Sequence, residues 1–244
     1  MLEHVDPGQQ EVARRHLVAR VLVVAPGTWV PSALPDGDPG HLGLFVLDGL
    51  MTRDVIMEEP MASELVGRGD LLRPADADGM SAPIPFDVHW RVQQRSQLAI
   101  LDAEFTRRAA NWPPVIEFLL RSMTHRAHSL AVSMAISHLR HVDTRLLVLL
   151  WHLADRWGRV RPDGVVVPVK LTHQSLGQLI GARRPSVTTA LRGLVDSGSI
   201  SRSPERYWVL HGDPPTSFTD RPGASSSDAA PVAGLAAAAR MSSR

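Results

Sequence analysis

An α+β fold is predicted for this 244-residue chain: an N-terminal antiparallel β roll, a long helix, and a C-terminal winged helix-turn-helix. Three observations predict it. Residues 17–105 carry closely spaced β-type segments between Gly, Pro and Asp punctuation. From Ile116 the apolar residues recur at alternating spacings of four and three. Two short amphipathic stretches then flank Gly181, ahead of a second β-type pair.

Composition bounds the function. With 44% hydrophobic and 21% charged residues, the chain has material for the core of one large or two small domains. No run approaches the roughly 20 apolar residues of a membrane span, and "MLEHVDPGQQEVARR" lacks the basic-then-apolar order of a secretory signal. A cytoplasmic protein with no membrane partner is expected. The absence of cysteine removes disulfides, thiol catalysis, iron–sulfur clusters and Cys-ligated zinc. Charge is uneven: residues 1–85 hold 13 acidic and 6 basic side chains, whereas residues 170–206 hold 6 basic and 2 acidic. A polyanionic partner therefore belongs at the C-terminal end.

In the N-terminal part, "HLVARVLVV", "HLGLFVLDGL", "DVIMEE", "ASELVGRGDLL", "VHWRVQ" and "SQLAILD" read as short strands, implying a small antiparallel roll or barrel. Pro113 and Pro114 suit the first turn of a helix, where a missing N–H costs nothing. Ile116, Leu120, Met123, Ala127, Leu130 and Met134 then trace a coiled-coil seam along 113–140. A seam this long calls for a partner helix, in a homodimer the same helix of a second copy; the alternative is a helix packed on its own β domain. Asp143 is placed to cap "TRLLVLLWHLADRW", with Leu146, Leu149, Leu150 and Leu153 on one face and Gly158 at its end, so residues 141–143 form a hinge.

"LTHQSLGQLIGARRPSVTTALRGLVDSGSISRSPERYWVL" carries the chemistry. Thr172 caps a short helix that buries Leu176, Leu179 and Ile180, Gly177 permits a close approach, and Gly181 supplies the left-handed turn. A second helix starts near Arg184 with Pro185 in its first turn and buries Val187, Ala190, Leu191 and Leu194. Its opposite face presents Pro185, Thr189 and Arg192, flanked by Ser186 and Thr188, with Arg183 and Arg184 at the N-terminal end. Guanidinium can pair with guanine O6 and N7, and threonine methyls can meet thymine methyls. Thr172, His173 and Gln174 begin the first helix, where it would touch phosphate, and Arg202 and Arg206 sit on the β wing. Double-stranded DNA is the expected partner. A packed helical hairpin with a solvated face is the bland alternative; glycine spacing, proline start, basic bias and following hairpin weigh against it together.

Residues 142–210 resemble the C-terminal winged helix-turn-helix of the Crp/Fnr-type transcription regulators, and the order of elements matches that family over 17–210. The resemblance implies a cyclic-nucleotide-binding-like sensory roll over 1–112, a dimerisation helix over 113–141 and a DNA-binding domain over 142–211, with residues 212–244 a disordered tail. It also implies a homodimer reading a near-palindromic site with helix 184–196, RNA polymerase as a further partner, base contacts at Arg184, Pro185 and Thr189, and phosphate contacts at Thr172, His173, Gln174, Arg183 and Ser186. Cyclic-nucleotide binders of the family carry a Gly-Glu pair after a Gly-Asp turn, then an arginine about ten positions on. Here Gly69 and Asp70 are followed by "LLRPADADGMSAPIPFDVHW", with no Gly-Glu in the chain and no arginine between 73 and 91. A buried phosphate would lack its charge partner, so cyclic AMP is disfavoured and the effector is left unknown. His125, His128, His138, His141 and His152 have spacings that make a metal conceivable, but spacing alone does not assign one, and neither a metal nor a catalytic residue is expected. The competing functions are a ligand- or metal-binding enzyme built on the roll and a dimeric scaffold protein.

Overall fold

The computed structural model describes residues 5–31, 40–57, 62–74 and 84–216. The expected tail beyond 216 and the stretch 75–83, where the nucleotide cassette would continue, lie outside the described residues.

A 3-10 turn at Pro7–Gln9 leads into α1 (Gln10–His16), followed by β1 (Arg20–Val24) and β2 (Gly27–Trp29). The strand expected from "HLVARVLVV" thus starts only at Arg20, where pairing to Ile100 begins; His16 closes a helix instead. The expected short strands also fuse. One 14-residue strand, β3 (Gly43–Ile56), and one 15-residue strand, β6 (Asp87–Leu101), replace two pairs. With β4 (Ala62–Gly67) and β5 (Leu71–Leu72), they form an antiparallel sheet in the order β1-β6-β3-β4, β2 adding to β6 and β5 to β3.

The gaps between the expected segments, at 51–53 and 94–95, lie inside continuous strands: Thr52 pairs with Arg91 and Leu50 with Gln94, and the chain bends next to them. Gly49 takes φ 106°, and the β3–β6 register shifts between Val46 and Met51. Bulges of this kind turn a strand without ending it. The sheet folds over at that point, so Leu44, Val46, Leu98 and Ile100 meet Met51, Val66 and Trp90 in one core. Trp29 closes it edge-on to Trp90, ring centroids 5.8 Å apart.

A second core lies outside the sheet. Phe45, Leu71, Ala99 and Leu101 receive Ala13 of α1, Phe105 of α2 (Ala103–Ala109) and Val115 and Leu119 of α3 (Pro113–Ser137). Helix α2 escaped the sequence reading although its cap is local: Asp102 Oδ1 accepts from Phe105 N at 2.9 Å. Helix α3 starts on the two prolines as expected but stops at Ser137, short of 140. Helix α4 (Val142–Trp157) begins two residues earlier than expected, so His141 is its N-cap position and Asp143 lies in the first turn, with Oδ1 accepting from Thr144 N at 2.9 Å. The break between α3 and α4 accordingly falls at 138–141.

The C-terminal unit then runs β7 (Arg159–Arg161), β8 (Gly164–Val167), α5 (His173–Ile180), α6 (Arg184–Asp196), β9 (Ile200–Arg202) and β10 (Trp208–Leu210). Its antiparallel sheet is ordered β7-β8-β10-β9. The β7–β8 hairpin was not foreseen, although "RVRPDGVVV" holds an Asp-Gly turn with Gly164 at φ 138°. Leu146, Leu149, Leu150 and Leu153 of α4 bury against Leu176, Ile180, Val187, Leu191, Leu194 and Trp208, each large apolar side chain contributing about 1.5–3 kcal/mol. Leu50 and Leu65 of the roll belong to the same core, so the C-terminal unit is seated on the β3–β4 hairpin.

Candidate nucleic-acid interface

Helix α5 is started and stopped by its own residues. Thr172 Oγ1 accepts from Ser175 N at 3.0 Å, and Gly181 takes the left-handed conformation at φ 63°, ψ 43°. The turn folds back on the helix through Ala182 N donating to Gly177 O at 2.8 Å. A Cβ on Gly177 would collide with the Ala182 carbonyl oxygen, so only glycine admits this turn. Helix α6 opens at N-cap Arg183 with Pro185 in its first turn, burying Val187, Leu191 and Leu194. Ala190, expected inside, is only half-buried.

The opposite face points to solvent. Arg183, Arg184, Pro185, Ser186, Thr188, Thr189 and Arg192 are all exposed, as are Thr172 and Gln174 at the head of α5. Arg183 and Arg184 meet no acid among the described residues, leaving their guanidinium groups available at a helix N-terminus that itself favours anions. Thr189 Oγ1 donates to Pro185 O at 3.2 Å, which directs its methyl away from the helix backbone and keeps its oxygen as an acceptor. Three expected contacts are qualified by the geometry. His173 is half-buried, its Nδ1 2.9 Å from Thr188 Oγ1. The Thr188 hydroxyl also lies 3.0 Å from Arg184 O, and the His173–Thr188 pair ties α5 to α6 rather than standing free. Arg192 sits 4.0 Å from Asp196 in an exposed pair of little strength.

The wing is held through its arginine. Arg202 stacks 3.5 Å over the Trp208 ring and donates to Arg206 O at 2.6 Å. Burial, with Arg206 nearby, lowers its pKa, and it remains cationic because an arginine starts so high. Its role is thus partly structural, while Arg206 occupies the tip at φ 67°.

Sequence reasoning missed Arg145. From α4 its Nε donates to Leu139 O at 2.6 Å and its Nη1 to Ile180 O at 3.3 Å. It thereby clamps the 138–141 break to the end of α5. Its only sequence signal was a cation beside the apolar face of α4, a feature with no distinguishing spacing.

Along α3, Ile116 packs partly on the second core, whereas Leu120, Met123, Leu130 and Met134 are 58%, 47%, 37% and 66% exposed, with Ala127 exposed between them. Behind this stripe lies a cavity of about 290 Å³ lined by Arg53, Leu71, Arg73, Trp90, Met123, Arg126, Ala127 and Leu130. Glu64 grips Arg126 with two bonds of 2.6 and 2.8 Å. Burial opposes the Arg126 charge, but the bonds and charge of Glu64, helped by Asp70, outweigh it and raise the pKa. At the Gly69–Asp70 turn, Asp70 is buried, accepting from Gly67 N at 2.8 Å and Arg156 Nη2 at 2.7 Å. Among the described residues, no helix is long and apolar enough to cross a membrane.

Comparison with known proteins agrees with this geometry. The family profile of the Crp-like helix-turn-helix domain matches residues 144–213. A "Global nitrogen regulator" of Synechococcus elongatus is 31% identical over 118 residues, 47% of this chain and 52% of that protein. The chain thus spans about half the length of the curated relatives it matches. A cyclic nucleotide-binding domain containing protein from Listeria monocytogenes superposes with a TM-score of 0.64 at 16% identity, over 86% of this chain and 97% of its own. A transcriptional regulator of the CRP/FNR family from Thermus thermophilus gives 0.54 at 18% identity, over 79% and 94%. Residues 144–213 match the Crp-like helix-turn-helix family model, and the chain around them is similar in fold to these two proteins.

Proposed function

We propose that the chain is a sequence-specific DNA-binding transcription regulator of the Crp/Fnr type, working as a cytoplasmic homodimer, with RNA polymerase as a further partner. The observation that carries the reading is the outward face of α6: Arg183, Arg184, Pro185, Ser186 and Thr189 stand exposed at a helix N-terminus while Val187, Leu191 and Leu194 hold the helix in place. Arg184 reads a guanine, Pro185 and Thr189 meet adjacent base edges, and Thr172, Gln174, Arg183 and Ser186 set the register on phosphate. The division into a roll over 1–112, a dimerisation helix over 113–141 and a DNA-binding unit over 142–211 belongs to the same reading. Four large apolar side chains in one exposed stripe on α3 support a second copy as the partner there.

No cyclic AMP requirement is part of the proposal. Asp70 is already committed to Gly67 and Arg156, and no Gly-Glu pair occurs in the chain. The cavity behind α3 shares Met123, Ala127 and Leu130 with the seam, so a molecule filling it would alter the surface on which two copies meet. A gel-shift titration over a series of salt concentrations tests the reading. Duplex binding should weaken steeply with salt, and Arg184→Ala should cost about 1–3 kcal/mol with relaxed preference at one base pair. Absence of binding to any duplex selected from random sequence refutes it.

A further inference from the structure

Between the roll and the C-terminal unit lies a cleft of about 820 Å³, separate from the DNA-facing surface of α6 and from the cavity behind α3. Its roll wall is formed by Asp48, Gly49, Leu50 and the Arg68–Gly69 turn; its opposite wall by Trp157, Arg159, Val169 and Tyr207. Arg156 also lines the cleft and is clasped to Asp70 of the roll at 2.7 Å, with the two side chains only 7% and 2% exposed. Arg156 also lies 4.3 Å over the Trp157 ring, and Trp157 fits against Gly67, where a Cβ would approach Cζ2 to 2.8 Å.

That clasp consumes Asp70 and neutralises Arg156. What remains is an excess of positive charge, two arginines from different parts of the fold against one carboxylate. Arg68, in the β4–β5 turn, and Arg159, at the start of β7, are exposed, and neither guanidinium has a hydrogen bond or ion pair among the described residues. One carboxylate, Asp48, faces them. Lys170 places its Nζ 5.5 Å from the centre of the ring of Tyr207, which lines the cleft. Like charges facing across a cleft with partly apolar walls repel, and an anion placed between them removes that repulsion while gaining two forked, charge-assisted contacts.

We propose that this cleft binds a small polyanion, carrying two or more phosphate or carboxylate groups, bridged between Arg68 and Arg159. The volume lies within the range of small-molecule sites. Bound there, the ligand ties the roll to the unit that carries α6, and so favours the docked arrangement over a detached one. Phosphate-bearing and carboxylate-bearing ligands share this chemistry, and two probes separate them.

The test is calorimetric titration of the full chain with pyrophosphate and, separately, citrate, for the wild type, Arg68→Ala, Arg159→Ala and the double variant. Arg14→Ala, an exposed arginine on α1, is the control. At least one probe should bind the wild type and the control alike. Each single variant should lose at least about tenfold in affinity. The same probe should raise the melting temperature of the wild type and leave that of the double variant unmoved; because both residues are exposed, the ligand-free variants should melt with the wild type. Binding undiminished in the double variant overturns the proposal, as does failure of both probes. If neither probe binds while the double variant loses DNA affinity, the cleft is a rest for the DNA backbone, and the proposal is likewise overturned.

Discussion

Replacing Gly177 and Gly193 by alanine, one at a time, should move stability in opposite directions. Both glycines lie within helices, α5 and α6, and in each the exchange gains about 1 kcal/mol of helix propensity. At Gly193 an added Cβ meets nothing within 4 Å, so the gain is kept. At Gly177 it strikes the Ala182 carbonyl oxygen, with Ala182 C and Val187 Cγ2 also at 3.5 Å. The oxygen must retreat by about 1 Å to restore van der Waals contact. It belongs to the backbone of a tight turn, and overpacking against such an obstacle costs about 2–3 kcal/mol. Gly177→Ala should therefore lose roughly 1–2 kcal/mol net, and melting should fall by about 2–4 °C per kcal/mol in thermal denaturation of a chain this size. Since α6 rides on that turn, DNA affinity should fall as well. A Gly177→Ala protein as stable as the wild type would refute the close-approach argument, and a destabilised Gly193→Ala would refute the propensity argument.

Removing one partner of the buried clasp should be severe: Asp70→Ala strands the Arg156 guanidinium and should cost about 3–5 kcal/mol in denaturant unfolding, most of it recovered in Asp70→Ala/Arg156→Met. Glutamate at Leu130 or Met134 should abolish dimers in sedimentation while leaving the monomer folded, because both side chains are exposed in the single chain. Stability should also decline as pH falls below about 6.5, the ordinary histidine value. Burial, with Arg156 nearby, lowers the His152 pKa, so the unfolded chain takes up a proton before the folded one does, and stability is lost down to the folded pKa. His152→Gln, which keeps a partner for Ser129 Oγ at 2.9 Å, should flatten that part of a stability–pH profile.

Local rules made the helix-turn-helix legible. Thr172 caps, Gly181 turns and Pro185 starts within four residues of the groups they serve, and each stands where the spacing placed it. The start of α3 was legible for the same reason. Errors fell where distant residues decide. The sequence reading ended one strand at Leu50 and began the next at Asp54, yet pairing to β6 continues from Leu50 through Met51, Thr52 and Arg53, with the register shifting on either side of Leu50. Arg145 and the Asp70–Arg156 clasp were invisible because their partners lie 35 and 86 positions away.

By itself, the amino-acid order determined which surface of α6 is polar, where α5 begins and turns, and that α3 carries an apolar stripe, because these follow from capping, periodicity and backbone freedom over a few residues. Only the tertiary structure decided that β3 and β6 run unbroken, that Asp70 is buried against Gly67 and Arg156, and that Arg68 and Arg159 line one cleft. Those outcomes depend on which charges and strands meet after the chain folds back on itself, and pairing between distant residues leaves no period in the sequence.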